Sequence, residues 1–452
     1  MTHWAREAVF YHLYPLGCLG APPRNDPAAP IVPRLPRLHA WLDHLQALGA
    51  NALYLGPVFE SETHGYDTLD YSQVDRRLGS REDLAALVAS AHARGLRVVL
   101  DAVFHHVGRG FPAFRDVLEH GRNSRFADWF HLHFDAESPC GDPFAYEGWN
   151  GHYNLVKLNV ANPEVRDHLF QAVSGWLADF SIDGLRLDAA DRLDRAFQRA
   201  LAAHCRALRP DFWLLGEVIH GDYRLWTEEA GLDCVTNYEL YKGLWSSHND
   251  ANYFEAAYTL NRQSGPDGRY RDLALYTFAD NHDVDRVASR LLEPAHLYPL
   301  HILLFAGPGI PSIYYGSEYG LEGAKLDGDD SPLRPVLTPA TLAQSGPHPD
   351  LTRVVASLAA FRRDHPSLRR GTLENLHVAH RQYTFARQAP DELAVVAVNA
   401  SDKAARPTLS SPLLGNRRFV DVLNNRRPLS AAAGRLLLNV HPHWGCILIS
   451  RD

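Results

Sequence analysis

An alternation constrains this chain more than any other feature: short apolar runs of strand length recur between stretches of helical period. The runs are "AVFYHLYP", "ALYLGPV", "LRVVLDAVF", "GLRLDAA", "FWLLGEV", "CVTNYEL", "LALYTFADNH" and "IPSIYYGSE", eight in all. Strand and helix in alternation imply a parallel sheet with crossover helices. Eight such strands over roughly 375 residues favour an α/β (β/α)₈ TIM barrel over an open doubly wound sheet. The first run is followed by none of the glycine loops that cradle phosphates, which further disfavours a dinucleotide-binding fold. One unit shows the local logic. In "SREDLAALVASAHARGLRVVLDAVFHH", Ser80 with Asp83 forms a capping-box pattern, Leu84, Leu87, Val88 and Ala91 share a helical face, and Gly95 ends the helix before the next strand. The unit before it repeats the theme, with Leu38, Leu42, Leu45 and Leu48 on one face and Gly49 as the stop.

Two regions break the rhythm. From His106 to about Asn159 the chain is rich in aromatic residues, glycine and histidine without a clear period, so it reads as a small inserted domain, 106–159, leaving the barrel after its third strand. After about Arg370 the pattern turns to period-two strands separated by turns, as in "LHVAHRQYTFAR", "ELAVVAVNAS" and "RLLLNVHPHWGCILIS". The expected domains are therefore a barrel over 1–105 and 160–372, the insertion, and a C-terminal antiparallel β domain over 373–452. No repeat of 20 to 50 residues runs through the chain.

Composition narrows the partners. The 452 residues are 46% hydrophobic and 22% charged, an ordinary globular balance with enough apolar side chain for a sizeable core. A net charge of -8 without a basic run argues against nucleic acid and anionic membrane, and a neutral ligand fits better. Five widely spaced cysteines form no CxxC pair, so neither a disulfide frame nor a zinc knuckle is expected. The N-terminus lacks a secretory pattern and no window holds eighteen uninterrupted apolar residues, so a cytoplasmic location is expected.

In a barrel of this kind the reactive residues stand at the C-terminal ends of the strands. Strand three ends in Asp101 and then His106. Strand four presents Arg186 and Asp188, strand five Glu217, and strand seven runs into His282 and Asp283. Residues two apart share a face of a strand, so Arg186 and Asp188 point one way and Leu185 and Leu187 the other. A buried aspartate is costly unless paired, and taken alone Arg186 with Asp188 reads equally well as a structural ion pair. Four strand ends carrying such residues point instead to a common pocket. Asp188, Glu217 and Asp283, three carboxylates besides Asp101, with an arginine and two histidines and no serine, cysteine or lysine nucleophile in an equivalent place, suit a neutral polyhydroxylated substrate. Cleaving a glycoside takes one carboxylate as nucleophile or base and one carboxylic acid to protonate the leaving oxygen.

In this order "DAVFHH", "GLRLDAAD", "GEVIH" and "FADNHD" resemble the four sequence regions of the α-amylase superfamily, glycoside hydrolase family 13. "HGYDTLDY" is similar to that family's sugar-stacking segment after strand two, and "GIPSIYYGSEYG" to its eighth strand. The resemblance implies a retaining mechanism, with Asp188 as nucleophile, Glu217 as general acid and base, and Asp283 as the carboxylate that holds substrate hydroxyls. It also implies that Arg186 keeps Asp188 ionised and that Glu217 has a raised pKa. Tyr66 would be the aromatic platform under the cleaved ring, with Asp101, His106, Arg186 and His282 completing the substrate-binding set.

Finer likeness in "DAVFHHVGRGFPAFRDVLEHGRNSRFADWF", "VKLNVANPEVRDHL" and "GEVIHGD" is to cyclomaltodextrinases and neopullulanases. Their usual N-terminal β domain is not expected here, since the first strand begins within about ten residues of Met1; oligomeric state stays open. The implied function is hydrolysis of α-1,4-linked maltooligosaccharides or a small cyclic α-glucan, with an α-1,6 bond as an alternative. The rivals are an α-glucan transglycosylase using the same covalent intermediate and, more remotely, a non-catalytic scaffold on this fold. "THGY" lacks the aspartate that exo-acting α-glucosidases place before the tyrosine. No cofactor is implied. Many α-amylases have a calcium-binding asparagine where this chain has His105, and calcium prefers oxygen to imidazole nitrogen, so no metal is expected there. The insertion's aromatics, Trp129, Phe130, Phe144, Tyr146 and Trp149, could stack on sugars or form a small core of their own.

Overall fold

The computed structural model describes residues 3–451, so Met1, Thr2 and Asp452 of the expected segments lie outside the described residues. Eight parallel strands form the barrel: β1 (Phe10–Leu13), β2 (Ala52–Leu55), β3 (Arg97–Ala102), β4 (Gly184–Leu187), β5 (Trp213–Gly216), β6 (Cys234–Val235), β7 (Tyr276–Phe278) and β8 (Ile310–Tyr314). They pair in chain order, and β8 returns to lie beside β1. A parallel bridge between Thr236 and Tyr276 joins β6 to β7 and closes the ring.

The crossover helices form where the apolar period and the caps agree. Ser80 caps Arg81–Ala93 in a full capping box with Asp83, and Leu84, Leu87, Val88 and Ala91 of this helix are buried. His39–Leu48 buries Trp41, Leu42, Leu45 and Leu48 and stops at Gly49, whose φ of 82° is the left-handed geometry glycine adopts freely. The connection from β5 to β6 departs from the pattern, its helical content being the single π-type turn Leu225–Glu229. The sixth run, "CVTNYEL", is strand for two residues only. Asn237 caps a helix there, its side chain accepting from the Leu240 N–H, so Tyr238, Glu239 and Leu240 belong to Tyr238–Asn249.

The barrel interior has two levels, and strand alternation sets both. At the level of the strand starts, Phe10, Ala52, Val99, Trp213, Tyr276 and Ile310 belong to one buried apolar cluster. Phe10 stacks on Trp213 with ring centroids 5.0 Å apart and meets Tyr276 edge-on at 5.4 Å. Gly184 leaves room for them: a Cβ there would lie 2.5 Å from the Trp213 carbonyl oxygen. Two residues further along, the same faces carry His12, Tyr54, Asp101 and Arg186. The intervening Tyr11, Leu53, Leu100 and Leu185 point outward into the core shared with the helices.

After β2 the chain makes a hairpin, Phe59–Ser61 with Thr68–Val74, whose loop carries Tyr66. After β3 it leaves the barrel, and His106–Gly108, His152–Lys157 and Gly148–Trp149 form a small antiparallel sheet. Asn150 and Gly151, at φ 47° and 83°, make the tight turn between Trp149 and His152. At the C-terminal end a six-stranded antiparallel sheet runs in the order Thr372–Ala379, Gln382–Ala389, Glu392–Asn399, Trp444–Arg451, Arg418–Asp421, Arg427–Ser430. One of its faces, with Val395, Ala397 and Leu448, builds a separate core; the other, with Ala394, Val396 and Ile447, joins the barrel's helix layer. The expected strand "RLLLNVHPHWGCILIS" divides: Arg435–Leu437 pairs with Thr408–Ser410, and Trp444–Arg451 enters the main sheet. Among the described residues no helix is long and apolar enough to cross a membrane.

Candidate active site

The predicted residues converge at the C-terminal end of the barrel, around one guanidinium group. Asp101 and Arg186 are register partners on β3 and β4. Arg186 Nη1 donates to Asp101 Oδ1 and to Asp188 Oδ1, both at 2.8 Å, while its Nη2 lies 2.7 Å from Glu217 Oε1. Arg186 is 3% exposed. Asp188 and Glu217 each follow the last residue of their strand, and the ladder carries on through them: the Asp188 N–H donates to Ala102 O and the Glu217 N–H to Leu187 O, each at 3.0 Å. Ala189 then adopts a φ of 45°, uncommon for a residue with a side chain, and its N–H donates to Glu217 Oε2 at 3.0 Å. This turn locks the two carboxylates against each other.

The sequence reading assigns Arg186 to Asp188; the structure divides it among three carboxylates. That changes the electrostatics. Burial pushes the Asp188 carboxyl well above the usual range; Arg186 opposes this, and the neighbouring negative charges of Glu217 and Asp101 reinforce it. Burial also raises Glu217 against the pull of Arg186, with Asp283 adding to the rise. With burial raising both and a single cation between them, Asp188 and Glu217 titrate as a coupled pair above the ordinary carboxylate range. Glu217 is raised, in the expected direction; Arg186 favours ionised Asp188, as expected, but burial outweighs it.

Asp283 has the opposite environment. Burial would raise it, but His282 and Arg334 outweigh burial and hold its carboxyl well below the usual range. Its Oδ2 is 3.0 Å from His282 Nε2, and its Oδ1 accepts from Arg334 Nη2 at 3.1 Å. Tyr66 stands between the groups: its hydroxyl donates to Asp101 Oδ2 at 3.0 Å and contacts His282 Nε2, with its ring stacked on His282 at 5.4 Å. His106 is 2% exposed, and burial lowers its pKa to about 3, so it is neutral near pH 7. Its Nε2 has no hydrogen-bond partner and lies 3.9 Å from Asp188 Oδ2, free to meet a substrate hydroxyl. His105 packs its Nδ1 3.2 Å from that of His106, and burial lowers its pKa to about 4. Among the described residues no group of three or more His, Cys, Asp or Glu side chains is placed to hold a metal ion.

Several contributors were missed by sequence reasoning. Tyr54 donates to Asp101 Oδ2 at 2.7 Å, and His12 stacks on Tyr54 at 4.1 Å; both sit on the inward face of their strands, so period two was a sufficient signal. Tyr238 reaches Glu217 Oε1 at 3.4 Å and accepts from Asn281 Nδ2 at 3.1 Å. Arg334 comes from a loop after β8, stacks over the Tyr14 ring at 4.6 Å and also binds Asp330 at 3.0 Å; the local sequence carries no signal for it. In the insertion, Phe130, Phe144 and Tyr146 are buried around Phe114 and join the main core shared with the barrel's helices. Trp149 instead is half-buried, its ring 6.2 Å from that of His106. His220 is exposed.

Asp188 and Glu217, both raised, meet at an arginine they share with Asp101, a fourth carboxylate, Asp283, is held low, and aromatic and imidazole groups surround them. This arrangement delivers a proton and a carboxylate to one bond of an uncharged polar molecule. Known proteins are similar to this chain over most of its length. The family model described as "Alpha amylase, catalytic domain" matches residues 38–370. A cyclomaltodextrinase from Bacillus sp is 33% identical over 425 residues, covering 89% of this chain and 74% of that protein. Neopullulanase 2 from Thermoactinomyces vulgaris is 31% identical over 468 residues, covering 98% and 78%. Among solved structures, a cyclic α-maltosyl-(1→6)-maltose hydrolase from Arthrobacter globiformis superposes with a TM-score of 0.81 at 27% identity, covering 99% of both chains. The chain belongs to the α-amylase family of glycoside hydrolases.

Proposed function

We propose that the protein hydrolyses α-1,4-linked maltooligosaccharides or a small cyclic α-glucan, with α-1,6 bonds as further substrates, by a retaining mechanism. The observation that carries this reading is the shared Arg186. It brings Asp188 and Glu217 to the two terminal nitrogens of one guanidinium group, at 2.8 and 2.7 Å. Such closeness favours the separation of about 5–5.5 Å that a nucleophile and its acid partner need over the wider gap that admits a water between them.

In this mechanism Glu217 holds the proton of the pair and gives it to the glycosidic oxygen as the bond to the anomeric carbon breaks. Asp188, ionised, attacks that carbon from the opposite face and forms a glycosyl ester. Glu217, now a carboxylate, takes a proton from water, whose oxygen displaces Asp188 and releases the sugar with its original anomeric configuration. Asp283, Tyr66, His106 and His282 hold sugar hydroxyls and stack on the ring, and the site takes an uncharged glucan without a cofactor. The names of the relatives, cyclomaltodextrinase and neopullulanase, support this substrate class. An intracellular maltogenic amylase from Bacillus subtilis, 32% identical over 350 residues, supports action inside the cell.

Proton NMR of a fresh digest of maltotriose or a cyclodextrin tests the mechanism. New reducing ends should appear first as the α-anomer; initial β-anomer would overturn retention. Asp188→Asn should lose nearly all turnover with an unchanged circular dichroism spectrum. Oligomers longer than maltotriose at early times would show transfer instead of hydrolysis.

A further inference from the structure

A cavity of about 460 Å³ lies at the end of the barrel opposite the catalytic carboxylates, where the loops entering β7 and β8 meet the C-terminal sheet. Its walls include Arg6, Arg271, Arg369, Arg370 and Arg387, against a single carboxylate, Glu374. Glu7 pairs with both Arg369 and Arg370, and the carboxylate of the nearby Asp272 is taken by Arg224. Five arginines thus line the cavity with one lining carboxylate, and a second, Glu7, is shared by two of them, on a chain whose net charge is -8.

Arg387 is the most telling of them. It is 1% exposed and has no ion-pair partner among the described residues. Its Nε donates to Gly371 O at 3.1 Å and its Nη1 to Ala306 O at 2.7 Å, which leaves Nη2 without a protein acceptor. Behind it Arg362, also 1% exposed, is held by the carbonyls of Phe305 and Leu368, each at 2.9 Å. Burial lowers each of these arginines to about 9, with the charge of Arg369 adding to the fall at Arg362 and that of Arg362 at Arg387, the mark of cations with too little counter-charge. Arg6 and Arg271 likewise spend hydrogen bonds on backbone carbonyls, of Asp272 at 3.0 Å and Pro266 at 2.7 Å. Truncating any one buried arginine to an apolar residue would relieve the repulsion, so a cluster of this kind makes physical sense when an anion completes it.

We propose that this cavity binds a phosphate-bearing small molecule. Guanidinium groups bind phosphate through forked, charge-assisted hydrogen bonds, which a chloride ion does not match. The volume falls in the range of small-ligand sites and exceeds what inorganic phosphate fills, so the same chemistry accommodates a sugar phosphate. The site is independent of the catalytic carboxylates, which stand at the other end of the strands.

Calorimetric titration and thermal unfolding of the full chain, at constant ionic strength, test this with inorganic phosphate, glucose 1-phosphate and glucose as probes. Phosphate should raise the unfolding midpoint where chloride does not, since a ligand of the folded state stabilises it. Tighter binding of glucose 1-phosphate than of phosphate would identify a sugar phosphate as the source; equal binding would identify the free anion. Glucose alone should not reproduce the effect. Arg271→Gln, and Arg271→Gln with Arg370→Gln, should weaken phosphate binding at least tenfold while maltotriose hydrolysis without phosphate is unchanged. Equal shifts with phosphate and chloride, or equal affinity in the wild type and Arg271→Gln, would overturn the proposal.

Discussion

Replacing Arg186 with glutamine tests the electrostatic account of the site most directly. The side chain is 3% exposed and touches Asp101, Asp188 and Glu217. Three charge-assisted contacts at about 1.5–3 kcal/mol each set an upper bound near 9 kcal/mol, but the abandoned carboxylates reduce their loss by taking up protons. Breaking a buried pair at one partner costs about 3–5 kcal/mol in practice. An unfolding entropy of about 2.1 cal/mol/K per residue converts that into a midpoint lowered by roughly 3–5 °C for a chain of this length unfolding as one unit.

The pH dependence is the sharper readout. Asp188 and Glu217 already have raised pKa values in the folded state, and removing the cation raises them further. A group raised on folding binds more protons in the native than in the unfolded state, so its stability contribution is lost as pH rises through the folded pKa. The gap between variant and wild type should therefore be small near pH 4 and widen towards pH 8. Denaturant titrations at pH 4, 6 and 8 measure it, and kcat/KM should fall by about 10²–10³ in parallel, as when a preorganised stabilising donor is removed. A stability gap that stays constant across this range would refute the shared-cation reasoning.

Asp283 gives the opposite sign. His282 and Arg334 hold its pKa low, so its contribution is present above the unfolded carboxylate range and lost as pH falls. Arg334→Gln should destabilise the protein at pH 6 and progressively less below about pH 4, by the same titrations. Trp149→Ala should raise KM for maltooligosaccharides about three- to tenfold with kcat little changed, the loss of an aromatic contact worth about 0.5–1.5 kcal/mol, in steady-state assays. Dialysis against EDTA should leave activity intact, because His105 offers nitrogen where calcium needs oxygen; activity lost and then restored by calcium would contradict this. The alkaline limb of kcat/KM should lie above the ordinary glutamate range, since Glu217 must be protonated to act and its pKa is raised.

Local patterns in this chain are legible where one residue's fate depends on its neighbours two to four places away. The capping box at Ser80, the stop at Gly49 and the eight strand positions all follow such rules, and so do the inward positions of Asp101 and Arg186. Tyr54 obeys the same rule, although a tyrosine in an apolar run reads as core. What stays hidden depends on separation. Arg334 lies 51 residues from Asp283, and Tyr238 lies 21 from Glu217, so closure of the ring and the loops beyond it decide those contacts. Strand six is shorter than its apolar run for another reason: the pull of Asn237 as a helix cap outweighs the strand propensity of "VTNYEL".

The polar upper level of the barrel sits on a lower level that is heavily aromatic. Four polar side chains inside a closed sheet, His12, Tyr54, Asp101 and Arg186, remove apolar contact where a barrel normally gains it. The deficit is met one layer down, where Phe10, Trp213 and Tyr276 fill the ring and Ala52 and Gly184 make space for them. Burying large rings of this kind contributes several kcal/mol at roughly 25 cal/mol per Å². An exchange of Gly184 for alanine should therefore weaken the whole upper site without touching it, because the added Cβ would meet the Trp213 carbonyl at 2.5 Å and force β4 and β5 apart beneath Asp188 and Glu217.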